Sequence, residues 1–305
     1  SNFMREEVNR YFSCPADKVD VIYNGVHAEK FEFEWSEEER LAWRSKLALP
    51  HENVVMYVGR FVREKGIHVL LNAASVVLAN EPNTKFVIVG GGYRESLEKF
   101  VRWYGLKDKV LFTGFMANRS LHQLYRCADV AVFPSLYEPF GIVALEGMAA
   151  GAAVVSSDAG GLREVVKHGE TGTNSYAGNP ESLAWAILNV LRNPSRAEEM
   201  KGAARERLRT DFDWGHIADQ TIAVYERVWA EFMNSYWTER TLWPVVPGAE
   251  ERAALLRVKE KARTGAYVSR PLPNVRLPDV KLDSDSVIAG GEREEDETED
   301  ETPFA

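Results

Sequence analysis

A chain of 305 residues, 45% of them hydrophobic and 11% aromatic, can bury a sizeable core in one large domain or two smaller ones. Its formal charge of −9 is concentrated in the decapeptide EREEDETEDE at 292–301, which carries −7; the remainder is near −2 with no long basic run, which argues against nucleic acid as a partner. Two cysteines, Cys14 and Cys127, form no disulfide framework, and neither a membrane-length apolar run nor a signal-peptide pattern occurs, so the sequence predicts a cytoplasmic chain without a membrane span.

The segment SNFMREEVNRYF at 1–12 reads as an amphipathic helix, entered without an initiator methionine. Residues 1–20 are therefore expected to be a helix and linker belonging to a longer protein. From residue 53 short β-branched runs alternate with stretches of helical period, the pattern of βαβ units and a parallel sheet. The predicted strands are 53–59, 85–90, 109–114, 130–135 and 152–157, and the predicted helices between and after them are 66–80, 94–105, 119–128, 141–150 and 161–169. The fold class is α/β, a Rossmann-like doubly wound parallel sheet, in which ligand loops lie outside the carboxyl ends of the strands.

After Asn179-Pro180 the pattern is helical over 180–194, 195–212 and 213–237, with Asp213 as N-cap of the last. Beyond residue 238, TLWPVVPG and SRPLPNVRLPDVKL contain prolines that break regular elements, and the acidic decapeptide lacks the apolar surface needed to order itself. Residues 238–305 are expected to be a largely disordered tail.

Two stretches carry the chemistry. In VGRFVREKGIHVLL at 58–71 a strand ending at Gly59 is followed by Arg60, Lys65 and a helix start. Two cations beside a helix N-terminus suit a diphosphate, since free N–H groups and the helix dipole converge there; the alternative is a pair of solvated surface charges. A Walker loop is absent. In VAVFPSLYEPFGIVALEGMAA at 130–150 a buried strand leads to a loop closed by Pro139 and Gly141, and Ile142 opens a helix. Glu138 lies in that loop and Glu146 one turn into the helix, so two carboxylates are expected to grip hydroxyls on two parts of one ligand. A glycoside hydrolase would instead set its carboxylates across an open cleft. Gly160-Gly161 offers another close backbone approach, the six histidines show no zinc spacing, and no G-x-S-x-G elbow occurs.

Over residues 15–237 the chain resembles the C-terminal, donor-binding half of retaining glycosyltransferases of the two-Rossmann-domain GT-B architecture, glycosyltransferase family 4 and its glycogen-synthase-like members. The resemblance is carried by VIYNGVHAEKF at 21–31, VGRFVREKG at 58–66, FTGF at 112–115, EPFGIVALE at 138–146, GGLREVV, ETGT and the closing FDWGHIADQTIAVYERVW. It implies that residues 21–237 form a nucleotide-sugar-binding domain ending in a crossover helix. It further implies that Gly59, Arg60 and Lys65 bind the donor diphosphate, that Glu138 faces the transferred sugar, and that backbone N–H groups of Phe140, Gly141 and Ile142 complete the cradle. Glu146 would hold the ribose, and Phe115 and Met116 would border the base. No metal and no cofactor are implied; the donor, a nucleoside diphosphate sugar such as ADP-glucose or UDP-glucose, is a substrate.

The implied activity is transfer of a hexosyl group, glucose by the lean of the motifs, to a glycan acceptor in α-glucan synthesis. The implied partners are the sugar nucleotide, the glycan and an N-terminal GT-B half that supplies the acceptor site. Two departures from the pattern stand out: that N-terminal half lies outside this sequence, and NGV is followed by His27 in place of Asp. The competing readings are a nucleotide-sugar-binding or scaffold module without turnover, one half of a split enzyme, and a nucleotide-sugar epimerase. The absent half also predicts an exposed apolar patch of Trp229, Phe232, Tyr236 and Trp237 on the last helix.

Overall fold

The computed structural model describes residues 1–235. Its centre is a six-stranded, wholly parallel sheet built from β1 (Asn53–Val58), β2 (Thr84–Val89), β3 (Val110–Gly114), β4 (Val130–Phe133), β5 (Ala153–Ser157) and β6 (Thr173–Ser175), in the spatial order β3-β2-β1-β4-β5-β6. The inner strands β1, β2 and β4 are apolar on both faces because both are covered by helices. In β1, Val55 and Tyr57 join one hydrophobic cluster, with Leu70, Phe86, Ile88 and Ile187, while Val54 and Met56 join the other, with Val87, Phe133, Leu145 and Met148. Each such side chain, removed from water, contributes about 1.5–3 kcal/mol. The first layer is closed by α3 (Ile67–Asn80), α4 (Arg94–Trp103) and α8 (Pro180–Arg192), the second by α5 (Asn118–Cys127), α6 (Ile142–Ala149) and α9 (Pro194–Asp211).

The strand order reverses between β1 and β4, which pair through Val55↔Val130 and Met56↔Ala131. Connections leave these two neighbours toward opposite faces, opening a crevice at their carboxyl ends. The five predicted strands are present, and the Rossmann-like doubly wound fold is the one the sequence pattern indicates. The sixth, β6, is only Thr-Asn-Ser and is held by pairing with β5 rather than by apolar character.

The segment at 1–12 does contain a helix, α1 (Asn2–Phe12), with Ser1 as its N-cap. A helix absent from the sequence reading, α2 (Glu37–Arg44), starts with a capping box in which Ser36 and Glu39 bond each other's backbone N–H groups. The helix expected over 161–169 is a single turn, α7 (Leu162–Val165), because Gly169 at φ 71° and the Thr171 hydroxyl, which accepts from Lys167 N, turn the chain into β6. The last helix, α10 (Trp214–Met233), is capped by Asp213 as expected, its Oδ1 accepting from Gly215 N and His216 N. Trp229 and Phe232 are exposed on it beside Tyr225 and Val228, while Tyr236 and Trp237 lie outside the described residues, as does the acidic tail. No helix among the described residues is long and apolar enough to cross a membrane.

Candidate functional site

The loops after β1 and β4 meet at the crevice. After Gly59 and Arg60 the chain makes a 3-10 turn at Arg63–Lys65, and Gly66, at φ 65°, starts α3. A side chain at Gly66 would overlap the carbonyl oxygen of Pro134, so only glycine lets the two loops close on each other. Leu136 N donates to Glu64 O at 2.7 Å, stitching them together. Beneath the turn the buried Tyr57 hydroxyl donates to Arg60 O at 3.1 Å, and its burial, with the charge of Glu138 nearby, pushes that phenol well above its ordinary pKa.

This closure places Lys65 Nζ 2.7 Å from Oε2 of Glu138, a residue only 8% exposed. The Ser135 hydroxyl donates to the same oxygen at 3.2 Å, and Ser157 Oγ donates to Ser135 O at 2.5 Å, fixing the loop from β5. From behind, Gly161 N donates to Glu138 O at 2.8 Å, and Gly160 and Gly161 press against the carbonyls of Glu138 and Pro139 where a β-carbon would not fit. The Ser1 hydroxyl donates to Pro139 O, and the Phe3 ring lies 5.6 Å from that of Tyr137, so α1 rests on the same loop.

Gly141, at φ 108°, opens α6, and neither α6 nor α3 has a side-chain cap on its first N–H groups. Two uncapped helix N-termini therefore flank the crevice, with their positive dipole ends beside it. Arg60 is exposed and, among the described residues, has no carboxylate within ion-pair distance. One anchored cation, one free cation and two helix starts make a cradle for a polyanion.

Glu146 stands one turn into α6 and is only partly exposed. The Tyr125 hydroxyl lies 3.4 Å from its Oε2, but burial outweighs that bond and raises the carboxyl above its usual range. Beside it is a pocket of roughly 310 Å³ that Ile142 and Glu146 share with His27, His122 and Trp214. The sequence reading placed none of those last three in the site. NGVH and FDW were visible as motifs, but their convergence on α6 depends on packing of α10, and His122 carried no local signal. Of the two residues expected at the base, Phe115 is 89% exposed and Met116 packs against the core beneath it; neither lines this pocket. Among the described residues no group of three or more His, Cys, Asp or Glu is placed to hold a metal ion.

The sequence model of one protein family, glycosyl transferases group 1, matches residues 39–207. An uncharacterized glycosyltransferase of Methanocaldococcus jannaschii is 41% identical over 228 residues, 74% of this chain and 58% of that protein. The glycogen synthase of Mycobacterium tuberculosis is 36% identical over 223 residues, 73% of this chain and 51% of that protein. The chain thus spans about half the length of the curated relatives it matches. Among solved structures, Anabaena HepE in complex with UDP-glucose superposes with a TM-score of 0.64 at 27% identity, covering 70% of this chain and 58% of that one. Sucrose-phosphate synthase of Thermosynechococcus elongatus superposes with a TM-score of 0.65 at 32% identity, covering 76% of this chain and 57% of that one.

Proposed function

This chain belongs to the group 1 glycosyl transferases, and from that membership we propose that it binds a nucleoside diphosphate sugar and carries the donor half of a retaining hexosyl transfer, of glucose to a glycan in α-glucan synthesis. The observation that carries the reading is the crevice itself: Arg60, the Lys65–Glu138 pair and two uncapped helix starts converge where the strand order reverses. The diphosphate lies between Arg60, Lys65 and the N-terminus of α6; the sugar faces Glu138; the ribose donates to Glu146. The 310 Å³ pocket takes the nucleoside, so His122 and Trp214 join Glu146 as its neighbours. Relatives that are a glycogen synthase and a structure holding UDP-glucose support the substrate class.

In this reading the C1–O bond to the diphosphate breaks while a C1–O bond to the acceptor hydroxyl forms on the same face, and the acceptor proton passes to the departing phosphate oxygen. The protein supplies position and charge: Arg60, Lys65 and the helix dipoles stabilise the leaving diphosphate, and no protein nucleophile is required. The acceptor site belongs to an N-terminal half, as the share of the relatives left uncovered suggests. That share also supports the second reading, a donor-binding module or half enzyme without turnover alone. A cytoplasmic location belongs to the same proposal, supported by two free thiols. Calorimetric titration with UDP-glucose, ADP-glucose and GDP-mannose tests it. Saturable binding of one donor, lost in Lys65→Ala, is expected; no binding by a folded chain would overturn a self-sufficient donor site.

A further inference from the structure

We infer that a second cleft, at the carboxyl end of α6, binds a neutral oligoglucan. The cleft encloses roughly 570 Å³ between the segment after the NGV turn, the end of α6 and α9. Its lining carries Glu29, Glu32 and Glu34 together with Arg126, Arg205 and Arg209. Val26, Phe31, Ala149 and Leu208 add apolar surface to the same lining.

Charge balance selects the class of ligand. With Asp213, whose Oδ1 caps α10, the lining holds four carboxylates and three guanidinium groups. An anion would meet the carboxylates and a cation the guanidiniums, whereas a sugar's hydroxyls can donate to the carboxylates and accept from the guanidiniums. The apolar surface suits the C–H face of a pyranose ring.

Arg126 is set in place before any ligand arrives. Arg126 donates to Phe33 O at 2.6 Å and lies 4.5 Å over the Phe33 ring, which fixes its fork. Arg205 has no carboxylate within ion-pair distance among the described residues, and its guanidinium passes beside Gly151, which has no side chain to obstruct it. Its donors are therefore available.

The cleft is separate from the pocket beside Glu146: Val26 and Phe31 form the partition, each lining both spaces. Ile142 and Glu146 of α6 line that pocket, whereas Ala149, Ala150 and Gly151 at the end of α6 line the cleft. A glucan held here would be anchored away from the transfer site, which keeps a long acceptor near the enzyme between encounters. The choice of a glucan rests on the proposed function.

The test is affinity electrophoresis and calorimetry of residues 1–305 with maltoheptaose, alongside UDP-glucose titration of the same protein. We expect saturable maltoheptaose binding that Arg205→Ala weakens about tenfold, the loss of one charge-assisted hydrogen bond. Glu32→Ala should weaken it too, and Glu138→Gln should leave it unchanged. Both cleft substitutions are at exposed positions, and circular dichroism is to check that each variant is folded. Absence of maltoheptaose binding, or binding untouched by Arg205→Ala and Glu32→Ala, overturns the second site. Donor binding without glucan binding defeats this inference alone, and glucan binding without donor binding defeats the proposed donor site alone.

Discussion

The ammonium group of Lys65 stands 2.7 Å from Oε2 of Glu138, joining the loop after β1 to the loop after β4 across the point where the strand order reverses. Glu138 is buried, and its Oε2 is hydrogen-bonded by this partner and by Ser135. Lys65→Ala leaves that carboxylate with one hydroxyl, at an expected stability cost of about 2–3 kcal/mol. Glu138→Gln, which removes the charge and keeps the shape, should cost about 1 kcal/mol. Urea denaturation checks both, and the double variant Lys65→Met/Glu138→Gln should cost less than the two single losses together. Additive losses would show that the pair is not coupled.

Arg60 gives the opposite expectation. It is exposed and has no ion pair among the described residues, so Arg60→Ala should change stability by no more than about 0.5 kcal/mol. Donor affinity should nonetheless fall roughly 10- to 100-fold, the worth of a charge-assisted bond to a phosphate. A variant with normal donor affinity would remove Arg60 from the diphosphate site.

Gly66 and Gly105 share nearly the same backbone angle, φ 65° and 66°, but differ in their surroundings. A β-carbon at Gly105 meets nothing within 4 Å, whereas one at Gly66 overlaps Pro134 O. Gly105→Ala should therefore cost only the left-handed strain, about 1–2 kcal/mol. Gly66→Ala should cost at least about 2 kcal/mol more, because it also forces the two site loops apart. Thermal melts of the two variants measure the difference, and equal melting temperatures would contradict the close approach.

These contrasts show what the sequence made legible. Continuous apolar runs such as NVVMYV reveal strands covered on both faces, and glycines at strand ends mark the ligand loops, so the sheet and the Arg60, Lys65, Glu138 and Glu146 positions could be read locally. The pairing of Lys65 with Glu138, 73 residues apart, could not, because it follows from the parallel neighbours β1 and β4. His122 and Trp214 reach Glu146 through helix packing alone. β6 escaped notice because three polar residues carry no strand pattern, and α2 because its eight residues follow a run of charge rather than an apolar period.

Glu146 links stability and binding with opposite pH dependence. Burial raises its carboxyl above the usual value of 4.5 despite the Tyr125 hydroxyl, so the folded chain holds this proton more tightly than the unfolded chain does. Between 4.5 and the raised folded value the native state binds more protons, and stability must fall as pH rises through that window. Glu146→Gln abolishes this term: the variant should melt higher than the parent at pH 7 and match it near pH 4. Donor binding should run the other way, since a ribose hydroxyl donates best to the ionised carboxylate. The affinity of the parent for its sugar nucleotide should climb over the same window in which its stability falls, and Glu146→Gln should flatten both curves. Melting curves and donor titrations over pH 4–8 decide it. A variant no more stable than the parent at pH 7 would mean that the buried carboxylate is already compensated in the absence of ligand.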